Sequence, residues 1–356
     1  MTAQPNGDCP IETKHTFRID NSTTFSLPGD LAVDLIVTSP PYPMIAMWDS
    51  LFAGQSEEVA NALIAKRFND AFESMHGVLD QVWTGCHRTL REGGFLCINI
   101  GDAVRTCDGT FRMFSNFARV IRSLNRLGFT LLPSIIWRKP ANSPTKFLGS
   151  GVLPAGAYVT LEHEHILVCR KGEHSRVTAE EKAARRRSAI FWEERNSWFS
   201  DLWSFTGVKQ DLPNQMRSRS AAFPLELPFR LICMYSLIGD TVCDPFSGTG
   251  TTTLAAMAAG RNSIGIETDA GLARSARARA LDPVVINMLR NRGTQRITEH
   301  RSFLAQRKAP PKHHHHLAGV DVVSSQETDL CVPVLQEASA SDDEVICTYV
   351  SDPWST

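Results

Sequence analysis

Two short stretches hold residue types suited to chemistry. The first is Thr38-Ser39-Pro40-Pro41-Tyr42, which follows the apolar run at 33–37 with no spacer. A hydroxyl, two prolines and an aromatic ring at a strand end can serve as a stiff turn. They can also make a site. Proline fixes φ and removes an N–H donor, so the acceptors around Ser39 meet less competition. Tyr42 adds a flat ring face. The second stretch, "VCDPFSGTGTTTLAAMAAGRNSIGIETD" (242–269), reads as strand, glycine turn, helix and strand ending in an acid. Gly248 and Gly250 let the backbone come close to a ligand. The helix that follows offers free N–H groups and a positive dipole end. Glu267, at the next strand tip, stands where an acid can bind ribose hydroxyls. The unit suits a nucleoside. It is not a P-loop, because no Gly-Lys-Ser/Thr follows, and it lacks the G-x-G-x-x-G spacing.

Elements on both sides must hold these stretches. Residues 31–37 read as a buried strand, and 57–92 carry a helical pattern broken near Gly77 and Gly85. "FLCINI" (95–100), "FTLLPSIIW" (129–137) and "ILVCR" (166–170) read as further strands, and 111–127 as a helix. From Pro224 come a helix ("LPFRLICMYSL") and then the nucleoside-type unit. Alternating strands and helices predict an α/β fold, a mostly parallel sheet with helices on both faces. Residues 138–157 form a long loop rich in Pro, Gly, Ser and Asn. Residues 171–222 change character, with Arg185-Arg186-Arg187 and interleaved tryptophans. Residues 307–356 turn to Pro, His, Ser and acids, and are expected to be disordered.

The bulk numbers narrow the classes. In 356 residues there are 37 Lys+Arg and 38 Asp+Glu, a formal charge of −1. Eight of those acids follow Lys312 and no Lys or Arg does, so residues 1–312 carry about +7. A basic body suits a polyanion partner, although a solvated surface would look the same. No apolar run reaches the ~20 residues that span a bilayer, and the N-terminus does not read as a signal peptide. Nine cysteines with no C-x-x-C pair argue against a disulfide framework or zinc knuckle and suggest a cytoplasmic protein. "EHEH" (162–165) alternates as a strand would and is not H-E-x-x-H, so no metal site is expected.

Taken together, "TSPPY" and "DPFSGTG" resemble the signature motifs of the amino-DNA methyltransferases, cytosine-N4 or adenine-N6. The resemblance spans roughly residues 17–270 and includes "REGGFLCINIGDA" (91–103), "SDLWSF" (200–205) and "FPLELPFRLI" (223–232). The catalytic motif precedes the cofactor motif, which is the β-type order. The resemblance implies a Rossmann-like, S-adenosylmethionine-dependent methyltransferase domain over 17–306, after a short extension at 1–16. It implies that Ser39, Pro40, Pro41 and Tyr42 are catalytic and hold a base flipped from double-stranded DNA. Asp20, Phe223, Pro224, Asp244, Phe246, Gly248, Thr249, Gly250, Thr251 and Glu267 would bind the cofactor. Residues 171–222 would recognise the target, with Arg185, Arg186 and Arg187 on DNA.

Serine at the first motif position implies cytosine-N4 methylation, with adenine-N6 methylation or a non-catalytic nucleic-acid-binding relative as alternatives. Cytosine-C5 chemistry would need a Pro-Cys nucleophile, and the sequence has none. The family setting is restriction–modification, with a cognate restriction endonuclease as functional partner. Some relatives place an Asp in the strand after the proline motif. Here Asn99 or Asp102 stands there, leaving a second polar contact open. Oligomeric state and target sequence are not legible.

Overall fold

The computed structural model describes residues 12–27, 32–139, 148–149, 152–173, 178–205, 223–316 and 318–354. Its main sheet has eleven strands. From one edge they run Leu202–Ser204, Ile135–Arg138, His163–Lys171, Leu90–Ile100, Val33–Thr38, Thr241–Asp244, Asn262–Glu267, Glu12–Ile19, Glu344–Tyr349 and Leu335–Ser341, with Phe129–Leu131 also paired to His163–Lys171. The five strands from Leu90–Ile100 to Glu12–Ile19 are mutually parallel.

Burial on both faces explains the apolar run Leu35–Val37 of the Val33–Thr38 strand. Successive side chains point to opposite faces. Leu35 and Val37 enter one core cluster, with Phe229 and Leu254, while Ile36 enters the other, with Trp83 and Leu79. Helices therefore cover both faces, as the alternating pattern predicts.

Several local readings are corrected. Phe68–Thr89 is one continuous helix. Gly85 does not break it, and a Cβ there would meet the Phe25 ring at 3.0 Å. Residues 111–127 are not one helix, because Thr110–Phe114 pairs with Ala103–Cys107 in a hairpin and only Asn116–Arg126 is helical. The 129–137 run is two strands, with Pro133 in the gap between them. Within 171–222 the described part keeps two helices, Ala179–Arg187 and Trp192–Trp198, and the edge strand Leu202–Ser204. Most of the 138–157 loop lies outside the described residues.

The largest correction concerns residues 307–356. Glu344–Tyr349 pairs antiparallel with Glu12–Ile19, and Leu335–Ser341 pairs with it in turn. Val345, Cys347 and Tyr349 alternate inward, fully or nearly buried, beneath a segment that is acidic only on average. Leu330, Val332, Val334 and Trp354 form a further apolar cluster with Phe191 and Ile297. The pattern of period two outweighs the polar composition. No helix among the described residues is long and apolar enough to cross a membrane.

Candidate active site

Parallel pairing brings the two motifs together. Val242 lies opposite Leu35 and Cys243 opposite Ile36, so adjacent strands end side by side at Thr38 and Asp244. Both motifs begin there, at the carboxyl edge of the sheet, where loops from α/β strands leave a crevice. Thr38 Oγ1 donates to Asp244 Oδ1 at 2.7 Å, and Thr252 Oγ1 donates to Asp244 Oδ2 at 2.6 Å. The Phe246 N–H also reaches Asp244 Oδ1, at 3.0 Å. Burial raises the Asp244 carboxyl to about 6, against the pull of these three donors. Asp244 thus ties the turn to both the proline-motif strand and the following helix.

The glycine turn is built for close approach. Gly248 and Gly250 have φ of 52° and 79°, a region that favours glycine. A Cβ at Gly250 would lie 2.9 Å from the Ala276 Cβ, so the turn also packs tightly on the Ala270–Ala280 helix. Glu267 accepts the Gly248 and Asp269 N–H groups, each at 2.9 Å, and holds the two loops in register. The Ser247 hydroxyl on this turn is buried and unpartnered among the described residues. The cavity beside the turn is about 570 Å³, within the range of cofactor pockets.

The other end of the cavity holds Ser39 and Tyr42. Ser39 Oγ lies 3.1 Å from Tyr42 Oη, and Tyr42 Oη donates to Glu164 Oε2 at 2.9 Å. Asn99 Nδ2 donates to the same Glu164 oxygen at 2.6 Å and to Tyr42 Oη at 2.9 Å. Lys139 Nζ closes on the other oxygen, Glu164 Oε1. Burial, and next the Glu164 charge, hold the Tyr42 phenol well above its ordinary value, so it remains a proton donor. Asn99 is buried, and its Oδ1 has no partner among the described residues.

Comparison with known proteins shows the family. A family model described as DNA methylase matches residues 33–278. Type II methyltransferase M.MthZI of Methanothermobacter thermautotrophicus is 48% identical over 263 residues, covering 73% of this chain and 74% of that protein. The chain belongs to the DNA methylase family. Type II methyltransferase M.MjaI of Methanocaldococcus jannaschii is 45% identical over 277 residues, covering 74% of this chain and 89% of that one. Among solved structures, a putative DNA modification methylase from Thermus thermophilus, complexed with S-adenosyl-L-methionine, superposes with a TM-score of 0.53. It is 32% identical and covers 70% of this chain and 87% of that one.

This methylase uses S-adenosylmethionine as methyl donor. Its residues fit that group. The glycine turn leaves room for a close ligand, and Glu267, held by the Gly248 and Asp269 N–H groups, lines the same cavity.

Most expected site residues converge. Ser39, Pro40, Pro41, Tyr42, Phe223, Asp244, Phe246, Gly248, Thr249, Thr251 and Glu267 all line the one cavity. Three do not. Asp20 pairs with Arg18 at 3.2 Å and caps the Asn21 N–H, and Asn21, Ser22 and Thr23 line the wall instead. Pro224 and Gly250 are not in the cavity wall, although their neighbours Phe223 and Thr251 are. Tyr42 is nearly buried, with its ring against Gly101, where a Cβ would approach Cε2 to 2.9 Å.

The arginine triplet is elsewhere. Arg185 and Arg186 line a separate cavity with Arg91, Gly93 and Asp240. Those residues stand at the amino ends of the Leu90–Ile100 and Thr241–Asp244 strands, the sheet edge opposite Ser39. Arg186 pairs with Asp329 at 3.7 Å, and the Arg187 carbonyl accepts the Cys331 N–H.

Sequence reasoning missed two groups. One is the Asp49–Gln55 helix, which contributes Leu51, Phe52 and Gln55 to the cavity wall. The other is Glu164, in the discounted "EHEH". Its alternation with histidines was visible, but only the pairing of Ile166 with Asn99 and of Glu164 with Trp137 brings it to the site.

Proposed function

We propose that this DNA methylase transfers the methyl group of S-adenosylmethionine to N4 of a cytosine flipped out of duplex DNA, as the modification enzyme of a restriction–modification pair. The observation that carries the reading is Ser39, set between a nucleoside-sized cavity and the Tyr42 hydroxyl. The two Type II relatives support the restriction–modification setting.

The exocyclic amine of cytosine is a weak nucleophile because its lone pair is delocalised into the ring. An acceptor at its N–H draws the nitrogen toward tetrahedral geometry and frees that pair. Ser39 Oγ supplies the acceptor. Pro40 and Pro41 stiffen the backbone that carries it. When bound, S-adenosylmethionine supplies a methyl group already activated on a sulfonium. The chain therefore contributes chiefly position and charge placement, and a base must leave the stack to be reached.

The test is the product. DNA from cells expressing the protein is digested to nucleosides and analysed by mass. N4-methylcytosine is expected, and N6-methyladenine in its place would assign the same site to adenine. Ser39→Ala is expected to leave S-adenosylmethionine affinity near wild type. It should slow single-turnover methyl transfer by about 5- to 150-fold, the value of one lost acceptor worth roughly 1–3 kcal/mol. A full-rate Ser39→Ala enzyme would remove the proposed role.

A further inference from the structure

The hydrogen-bond chain behind Ser39 has a direction. Glu164 as a carboxylate can only accept. The single Tyr42 proton is committed to it, at 2.9 Å. Tyr42 Oη therefore acts as acceptor toward its other neighbours, Asn99 Nδ2 at 2.9 Å and Ser39 Oγ at 3.1 Å. The Ser39 hydroxyl must then donate to Tyr42; of its lone pairs, one meets only the long Asn99 Nδ2 contact at 3.5 Å and the other is left for the cavity. Lys139 holds the far oxygen of Glu164 and Asn99 the near one, so the carboxylate is clamped at both ends.

We propose that Glu164 is a positioning residue of the methyl transfer. Through Tyr42 it fixes Ser39 as acceptor for the exocyclic amine, and it receives the proton that the amine gives up.

This rests on the exocyclic-amine reading above and applies to N4 of cytosine or N6 of adenine alike. The balance is simple. The nitrogen lone pair forms the new N–C bond, and the electron pair of the broken C–S bond stays on sulfur. The nitrogen then holds one proton in excess. That proton passes to Ser39 Oγ, the Ser39 hydroxyl proton to Tyr42 Oη, and the Tyr42 proton to Glu164 Oε2. One proton has moved from nitrogen to carboxylate, and Ser39 and Tyr42 end neutral. Glu164 returns it to water.

Geometry limits the alternatives. Among the described residues, the polar groups bonded to Glu164 are Tyr42, Asn99 and Lys139. His163 and His165 alternate with it along the strand and so point to the other face, where His165 stacks on Phe117 at 4.0 Å. The plainer role for Glu164 is an ion pair with Lys139 that closes the sheet edge. That role gives no reason for Tyr42 and Asn99 to share its second oxygen.

The test uses the full chain and compares Glu164→Gln, Tyr42→Phe and the double variant. Each single variant should slow single-turnover methylation about 10- to 100-fold. Affinity for S-adenosylhomocysteine, and for duplex DNA in its presence, should stay within about twofold, as neither contact is cut. The double variant should be no slower than the slower single one, because both cut the same chain. The solvent deuterium isotope effect of the wild type should fall in all three, and Glu164→Asp should recover part of the rate. Should Glu164→Gln fold poorly, Tyr42→Phe still tests the chain, since the ring and its packing remain. Wild-type rates, multiplied losses in the double variant, or an equal loss of cofactor affinity would each overturn the inference. An N6-methyladenine product with the same non-additivity would correct the base and leave the relay standing.

Discussion

Gly293 offers a test in which the sign of the effect decides. It lies within the Pro283–Gln306 helix, where glycine costs about 0.8–1 kcal/mol relative to alanine. If residues after 306 were a solvated tail, Gly293→Ala would raise stability by about that amount. The structure says otherwise. A Cβ at 293 would lie 2.6 Å from the Pro333 carbonyl oxygen, 2.9 Å from Val334 Cγ2 and 3.1 Å from Val334 Cα. Two of those three contacts are with backbone, so a rotamer change cannot relieve the clash. Relief requires moving the segment that leads into Leu335–Ser341, which the Val350 N–H holds by bonding the Val334 carbonyl at 2.9 Å.

Overpacking of this kind costs typically about 1–3 kcal/mol. An obstacle made of backbone belongs at the upper end, so after the propensity gain a net loss of about 1–2 kcal/mol is expected. Urea unfolding read by far-UV circular dichroism measures it, as a lower midpoint at unchanged slope. A Gly293→Ala protein with a raised midpoint would refute the docking of 333–334 on this helix.

Two further outcomes follow from the same geometry. Gly250→Val places a branched side chain at φ 79° and 2.9 Å from the Ala276 Cβ, so S-adenosylmethionine affinity should fall at least about tenfold by calorimetry while Ser39 and Glu164 stay in place. Reversal of Arg185 and Arg186 to Glu should leave the salt dependence of DNA affinity unchanged, since each neutralised phosphate contributes to that slope and these side chains sit at the far sheet edge from Ser39. A flattened slope would bring DNA to that edge.

What could be read from the sequence was set by local constraint. "VDLIVT" can hardly be anything but a strand buried on both faces, and the glycines of "FSGTG" fix a turn that few other residues allow. Ser39, Tyr42, Gly248 and Glu267 were recognisable because their chemistry sits within a few residues of the turn that aims it. The tertiary structure alone decided what depends on contacts between distant segments. The acidic average of 307–356 hid alternating residues that only a strand edge at Glu12–Ile19 could bury. The arginine triplet was visible as a basic run, but only chain connectivity shows that Arg185 and Arg186 sit at the amino ends of the strands. Asp20 had the right residue type, and only the fold shows that it pairs with Arg18 beside the cavity-lining Asn21. Glu164 lies 122 residues from Tyr42, and its role exists only because strand register sets its carboxylate against that hydroxyl. Hydrogen bonds act over about 3 Å of space, and the fold alone decides which residues come that close.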